Sequence, residues 1–188
     1  MKKILLAALG ACVLLCACDA RTTEMDQVQE QYRRIERAEM DAEITCHLTE
    51  ESRTFTVHAT CTDTGAATEV TAPEELAGIR AVAEGDELSV VYDGVSLPAG
   101  QAPGVSPANC LPLLLRALEE GYVLEYGAED IDETPCLRAA LETSVAGEKV
   151  LYTVWLDRET LVPCYAELSQ NGQVTITVRM LSFTWEGA

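Results

Sequence analysis

Apolar positions recur along this chain with two different periods, and the changes of period mark out its elements. Met25, Val28, Tyr32 and Ile35 form one narrow stripe at helical spacing among Glu, Gln and Arg. That is the pattern of a helix lying on a core rather than passing through it. Thr22 or Thr23 can cap this helix, because a threonine oxygen accepts the unpaired backbone N–H groups of a first turn. After residue 40 the period becomes two. Ala42, Ile44, Cys46 and Leu48 alternate with polar residues, as do Phe55, Val57, Ala59 and Cys61, with Thr49-Glu50-Glu51-Ser52 between the runs. The two runs predict a hairpin with one buried face. Leu76–Ala83 and Leu88–Tyr92 predict further strands about a Glu84-Gly85-Asp86 turn. Pro98–Asn109, with three prolines and two glycines, reads as a loop.

Residues 110–120 (CLPLLLRALEE) predict a second helix. Leu111, Leu114, Leu115 and Leu118 make one face, and Cys110, Leu113 and Ala117 extend it round the cylinder, so this helix is expected to be buried on most sides. Pro112 fits the first turn, where a missing N–H costs little. Gly121 is expected to close the helix in a left-handed conformation. Glu125–Pro135 is acidic and reads as irregular. The last third is a strand meander: Val150, Tyr152, Val154 and Leu156, then Val162, Cys164, Ala166 and Leu168, then Val174, Ile176, Val178 and Met180. A three-residue Gln170-Asn171-Gly172 loop places Leu168 opposite Val174 and Cys164 opposite Val178. Past Met180 the apolar phase slips to Leu181, Phe183 and Trp185, the signature of a bulge that bends a strand. Long, bent antiparallel strands with two helices give an α+β class with a curved sheet.

The N-terminus says where the chain resides. Lys2 and Lys3 precede an apolar run of 14 residues, Ile4–Ala17, and then come Cys18 and Asp19. A basic start, a short apolar core and a small residue before the cut mark a secretory signal, and a relaxed membrane-spanning helix needs about 20 residues. Leu15-Cys16-Ala17-Cys18 resembles a bacterial lipobox, whose last cysteine carries a thioether-linked diacylglycerol. Leu9-Gly10-Ala11-Cys12 matches the small-residue pattern better. However, a cut there leaves only eight apolar residues in the core and sets Val13-Leu14-Leu15 where a solvated tether belongs. Cys18 is therefore the expected lipid attachment site. With two or three acyl chains, at about 0.8 kcal/mol per buried CH₂, the anchor is effectively stable. The expected organisation is a signal peptide over 1–17, a lipidated tether over 18–23 and one domain over 24–188. The expected location is the extracytoplasmic face of the cell membrane.

Cleavage before Cys18 removes 17 of 188 residues and leaves 171, enough for one domain with a sizeable core. Lys2 and Lys3 leave with the signal, so 11 basic side chains face 31 acidic ones, a formal −20, and Lys149 is the one lysine left. A chain this acidic has no electrostatic means of holding nucleic acid or anionic head groups. Its acidity is first of all a solvated surface, and a partner with a basic face is the sharper reading. Cys46, Cys61, Cys110, Cys136 and Cys164 remain, an odd number. Outside the cytosol, pairing is the default and leaves at least one thiol over, whereas an anaerobic source would keep all five reduced. Spacing assigns no pairs among them.

Catalytic and metal chemistry finds little to build on. His47 and His58 are the only histidines. If Leu48 pairs with Arg53, His58 opposes Glu43, and the two rings lie about 13 Å apart on one outward face, too far to share a metal. A Glu43–His58 surface pair is the expected arrangement. Cys46 and Cys164 fall in apolar alternation as small core residues. Asp130, Asp132 and Glu133 lack the glycine and terminal Glu of an EF-hand loop. Ser144, Ser169 and Ser182 sit in no GxSxG context. No cofactor is expected.

One stretch carries a resemblance. Tyr152-Thr-Val-Trp-Leu-Asp157-Arg-Glu-Thr160-Leu-Val-Pro163, followed by Ala166-Glu167, Asn171-Gly172 and Phe183, resembles the strand, Asp-x-x-Thr turn and proline-containing strand of the LolA/LolB-like lipoprotein-carrier superfamily. Clostridial germination lipoproteins and related lipoproteins belong to it. By order of elements the resemblance spans roughly residues 24–186. It implies a half-barrel sheet wrapped around helices, with a cavity that binds lipid in some members and a protein-binding platform in others. Cys18 marks a departure, since a tethered chain cannot shuttle as a soluble carrier does. The expectation is a membrane-tethered, non-enzymatic envelope lipoprotein that binds an apolar or lipid ligand or an exported protein partner. Leu113, Leu114, Val154 and Val178 are the expected cavity lining. A protein-interaction platform without a cavity is the rival, and an envelope hydrolase comes third.

Overall fold

The computed structural model describes residues 23–47, 51–85, 87–101 and 104–187. Cys18, the expected signal peptide and the expected tether up to residue 22 lie outside these residues. Helix α1 (Glu24–Arg33) is capped by Thr23. The Thr23 side chain accepts the Asp26 N–H, and the Asp26 carboxylate accepts the Thr23 N–H in return. The helix buries Met25, Val28 and Tyr32. Ile35, assigned to the same stripe by its spacing, instead opens strand β1 (Ile35–Cys46). Next come β2 (Arg53–Thr62), β3 (Gly65–Ala72), a 3-10 turn (Glu74–Leu76), β4 (Arg80–Glu84), β5 (Glu87–Tyr92) and β6 (Val95–Gln101). Helix α2 (Cys110–Glu120) leads to β7 (Tyr122–Ile131), β8 (Thr134–Val145), β9 (Glu148–Asp157), β10 (Pro163–Gln170) and β11 (Gln173–Gly187).

All strands join one antiparallel, curved sheet of 11 strands in the order β6-β5-β4-β3-β2-β1-β11-β10-β9-β8-β7. The chain starts at the middle, steps outward to β6, crosses to the far edge through α2, and steps back until β11 closes on β1. That crossing lays α2 over the same sheet face as α1, and the two helices pack against each other. Cross-strand partners carry the apolar set across the sheet. Ile44 pairs with Phe55 and Val178, Val178 with Ala166, Ala166 with Val154, and Val154 with Ala139. Leu111, Leu114 and Leu118 of α2 pack onto this band to complete one core.

Several expectations change. The region read as acidic and irregular, Glu125–Pro135, is β7, a two-residue turn at Asp132–Glu133 and the start of β8. Strand β7 is exposed on both faces, and β8 buries Cys136, Leu137, Ala139, Ala140 and Leu141 without alternation. Neither therefore shows period two. β3 passed unseen for the same reason, being mostly small residues and threonine. Residues 98–101, assigned to a loop, continue β6, and the strand expected from Leu76 begins at Arg80.

The hairpin β1–β2 sits two residues away from its expected register: His58 pairs with Asp41, not Glu43. Its Nδ1 lies 2.8 Å from Asp41 Oδ1, and the same carboxylate accepts the Ser182 hydroxyl at 2.6 Å. These two hydrogen bonds, from Ser182 first, hold the Asp41 carboxyl below the usual range. Asn171 (φ 53°) and Gly172 (φ 78°) make a two-residue turn instead of a three-residue loop. Leu168 then faces Ile176, and Val178 faces Ala166 rather than Cys164. The bulge after Met180 is present. Ala42 pairs with Met180 and Asp41 with Ser182, leaving Leu181 as the extra residue.

Gly121 does not take the left-handed conformation expected of it; its φ is −59° and ψ 143°. Its requirement is spatial. A Cβ there would collide with the Ala117 carbonyl oxygen, on a chain that turns directly from α2 into β7.

Candidate ligand cleft

The Asp157 turn, part of the stretch that carries the family resemblance, is the device that seats α1. Asp157 Oδ1 accepts the backbone N–H groups of Glu159 (3.1 Å) and Thr160 (2.8 Å) and the Thr160 hydroxyl (2.8 Å). Leu161 then adopts φ 58°. The turn offers the Leu161 carbonyl to the Tyr32 hydroxyl at 2.9 Å and the Thr160 carbonyl to Gln31 Nε2 at 3.3 Å. Gln29 Nε2 reaches the Gly121 carbonyl at 2.9 Å, and at the N-terminal end Arg158 bonds Glu24 at 3.1 Å, so α1 is held at both ends. The Thr160 amide and hydroxyl, with the Glu159 amide, hold the Asp157 carboxyl below its ordinary value of 3.8. A carboxylate with a lowered folded pKa stabilises the fold fully above the unfolded value, and that contribution is lost as pH falls through the folded one. Asp157→Ala should cost about 1 kcal/mol at neutral pH, the usual loss for such a cap. In urea titrations the difference from wild type should shrink below about pH 4. A difference independent of pH would show that the charge of Asp157 contributes nothing.

Between the two helices and the β2–β3 and β4–β5 ends of the sheet lies a cleft of about 660 Å³. Its floor follows from register. Cys61 pairs with Ala66 and Ala66 with Ala83, so three small side chains lie side by side on the face that the helices cover. Tyr32 and Ile35 wall it on one side, Pro112 and Leu115 on the other. Small residues in the sheet leave a volume that α1 and α2 do not fill. The rim is polar. Arg33 lies 3.6 Å from Glu30, Arg116 pairs with Glu120, and Glu36, Asp63 and Glu119 add negative charge. Burial pushes the Cys61 thiol up to about 12, so the floor is uncharged at neutral pH.

The four expected lining residues sit elsewhere. Leu114, Val154 and Val178 lie fully within the packed core behind the cleft. Leu113 is half-buried and lines a separate notch of about 260 Å³ with Arg116, Glu120, Glu142 and Val145. The structure does not bring the four together around one opening. Ala66 and Ala83 escaped the sequence reading because alanine in a short strand carries no sign of its role; the run of small residues at 65–68 was the one available signal. Cys46, Cys61, Cys110, Cys136 and Cys164 are all free thiols, with Cys164 half-buried and the others buried. Burial also raises Cys46 and Cys110. Among the described residues no group of three or more His, Cys, Asp or Glu side chains converges on a point that would hold a metal. Among them, too, no helix is long and apolar enough to cross a membrane.

No protein-family model matches the chain, and neither does any curated protein. Solved structures do. A DUF1329 family protein from Desulfovibrio piger is similar at 10% identity and a TM-score of 0.51, over 87% of this chain and 91% of that one. An uncharacterised conserved protein from Thermus thermophilus is similar at 10% identity and a TM-score of 0.51, over 88% and 87%. A LolA superfamily protein from Nitrosomonas europaea aligns at 12% identity and a TM-score of 0.48, over 87% and 92%. The chain has the curved-sheet α+β fold of the first two, the architecture that its resemblance to lipoprotein carriers implied, and what these likenesses establish is the fold.

Proposed function

We propose that this chain is a membrane-tethered, non-enzymatic envelope lipoprotein that binds an apolar ligand, such as an acyl chain, between its helices and its sheet. The observation that carries this reading is the cleft of about 660 Å³ over the Cys61-Ala66-Ala83 floor. That volume falls in the range of small-molecule sites, with an apolar floor and walls beneath a charged rim of about equal extent. The small floor residues make room, and the charged rim keeps the opening wetted. Lipid on Cys18 would hold the domain at the extracytoplasmic face of the membrane.

The test uses the non-lipidated chain and a fluorescent fatty acid, 11-(dansylamino)undecanoic acid. Saturable binding with a blue-shifted emission is expected. Ala66→Trp fills the floor and should abolish the shift while leaving the thermal transition in place, and Ala83→Trp should do the same. Absence of saturable binding by the wild type, or undiminished binding in both variants, would refute the cleft as the ligand site. Turnover of an envelope substrate, lost on a single polar substitution that preserves the fold, would refute the non-enzymatic reading.

A further inference from the structure

The two ends of the sheet are built differently, and the difference points to a partner. Strand β6 at one edge has seven residues, with Pro98 inside it and Gly100 in a left-handed conformation (φ 78°). Its register with β5 breaks between Leu88 and Ser89. A proline that offers no N–H is a usual means of keeping other chains from adding to an edge, and β7 has none. Strand β7 at the other edge has ten residues, YVLEYGAEDI, with neither Pro, Lys nor Arg. It pairs with β8 alone, with a break in register at Leu124, and among the described residues no strand pairs with its other side. Large apolar side chains stand out from it: Tyr122 is 71% exposed, Leu124 50% and Tyr126 42%.

We propose that the outer edge of β7 is a docking site for an extended, basic segment of a partner protein, which adds to the sheet as a twelfth strand. Free backbone groups along the edge would bind any extended chain. Charge selects among them. Glu125 and Glu129 share a single guanidinium, Arg138, at 2.8 and 3.4 Å, and Asp130 follows on the same strand. The edge therefore keeps a net negative charge. The same charges disfavour a second copy of this chain. Antiparallel self-pairing centred on Gly127 would set Glu125 directly against Glu129, and opposed like charges destabilise a strand pair. A segment alternating Lys or Arg with β-branched residues matches both features. Its cations face Glu125 and Glu129, and on the other face its apolar side chains cover Tyr126, while Leu124 sits at the break in register and Tyr122 beyond it on the carboxylate face.

The experiment uses the mature lipidated protein in nanodiscs of neutral phosphatidylcholine, with the labelled ten-residue peptide acetyl-(Lys-Val)5-amide as the probe. Fluorescence anisotropy should show saturable binding, and hydrogen exchange should slow at amides within 122–131. Replacing every Val by Pro keeps the charge but prevents strand pairing, and should weaken binding about tenfold or more. The Glu-for-Lys peptide should not bind. The double variant Leu124→Ser/Tyr126→Ser should weaken the Lys-Val peptide by about tenfold, given the apolar area removed, and its circular dichroism should be unchanged because both residues are exposed. Equal binding of the Lys-Pro peptide would mean attraction to an acidic surface without strand addition, and would overturn the proposal. Absence of binding would overturn it, as would protection confined to other strands. Protection of 122–131 that appears on concentrating the protein without peptide would assign the edge to a second copy and overturn the basic partner. None of these readouts involves the cleft, so the ligand reading stands or falls separately.

Discussion

Val178→Asp should leave the domain largely unfolded at neutral pH. Val178 sits on β11 near the centre of the sheet, pairs with Ala166 and Ile44, and is buried within the core. A carboxylate placed there is desolvated with no partner in reach, which costs several kcal/mol, comparable to the whole stability of a typical domain at about 5–15 kcal/mol. The buried acid would titrate above its unfolded value of about 3.9. The penalty therefore grows as pH rises from about 4 and is smallest in acid. Val174 supplies the control on the same strand: it is exposed, and Val174→Asp should stay within about 0.5 kcal/mol of wild type. Thermal unfolding at pH 4 and pH 7 measures both. A Val178→Asp protein as stable as wild type at pH 7 would contradict the burial of this strand.

The second large effect concerns location. Cys18→Ala should release the protein from membranes or leave it unprocessed, because the predicted attachment sulfur is gone. One chain of methylenes at about 0.8 kcal/mol each gives only marginal binding, so two or three are needed for a stable anchor and losing them is decisive. Cys12→Ala should still yield lipidated, membrane-bound protein. Fractionation of native membranes with mass spectrometry of the N-terminal peptide decides the matter. Full retention of a processed Cys18→Ala protein would transfer the role elsewhere in the leader. The consequence for function is geometric. With lipid on Cys18, a tether of a few residues would keep the domain near the bilayer surface, so an acyl ligand would enter the cleft from that surface, and a partner reaching β7 would be anchored there or exported to it.

Much of the fold was legible because burial leaves a mark on alternate residues. The sets on β1, β2, β9, β10 and β11 each have one face on the core. Their faces follow the alternation even where register differs, except at Val174, which is exposed opposite Ser169 beside the turn. The register differs from expectation by two residues throughout β1–β2 and beyond the break at Thr175 in β10–β11, and by one between that break and the turn. With a side-chain period of two, a displacement of two keeps every residue on its face. What set the register was the backbone of the turn: Asn171 and Gly172 both take positive φ and shorten the loop by one residue, and a break at Thr175 supplies the rest. The helix spanning Cys110–Glu120 was equally plain, since a wide leucine face needs a core to cover.

The chain's own order of residues determined the two helices, the alternating strands and the bulge at Leu181, and it predicts a leader with a lipid cysteine, because each rests on local chemistry or on a period repeated over neighbouring residues. Only the tertiary structure decided what depends on which strands meet. Strands β3, β7 and β8 have no alternation of their own and exist as strands through their neighbours. The cleft floor joins Cys61, Ala66 and Ala83 from three strands, and its emptiness is a property of three small side chains side by side rather than of any one. The exposed edge at Tyr122–Ile131 likewise arises because the crossing through α2 delivers β7 to the outside of the sheet. Volume left unfilled and hydrogen-bonding groups left unpaired are relations between distant segments, and a linear pattern holds no record of them.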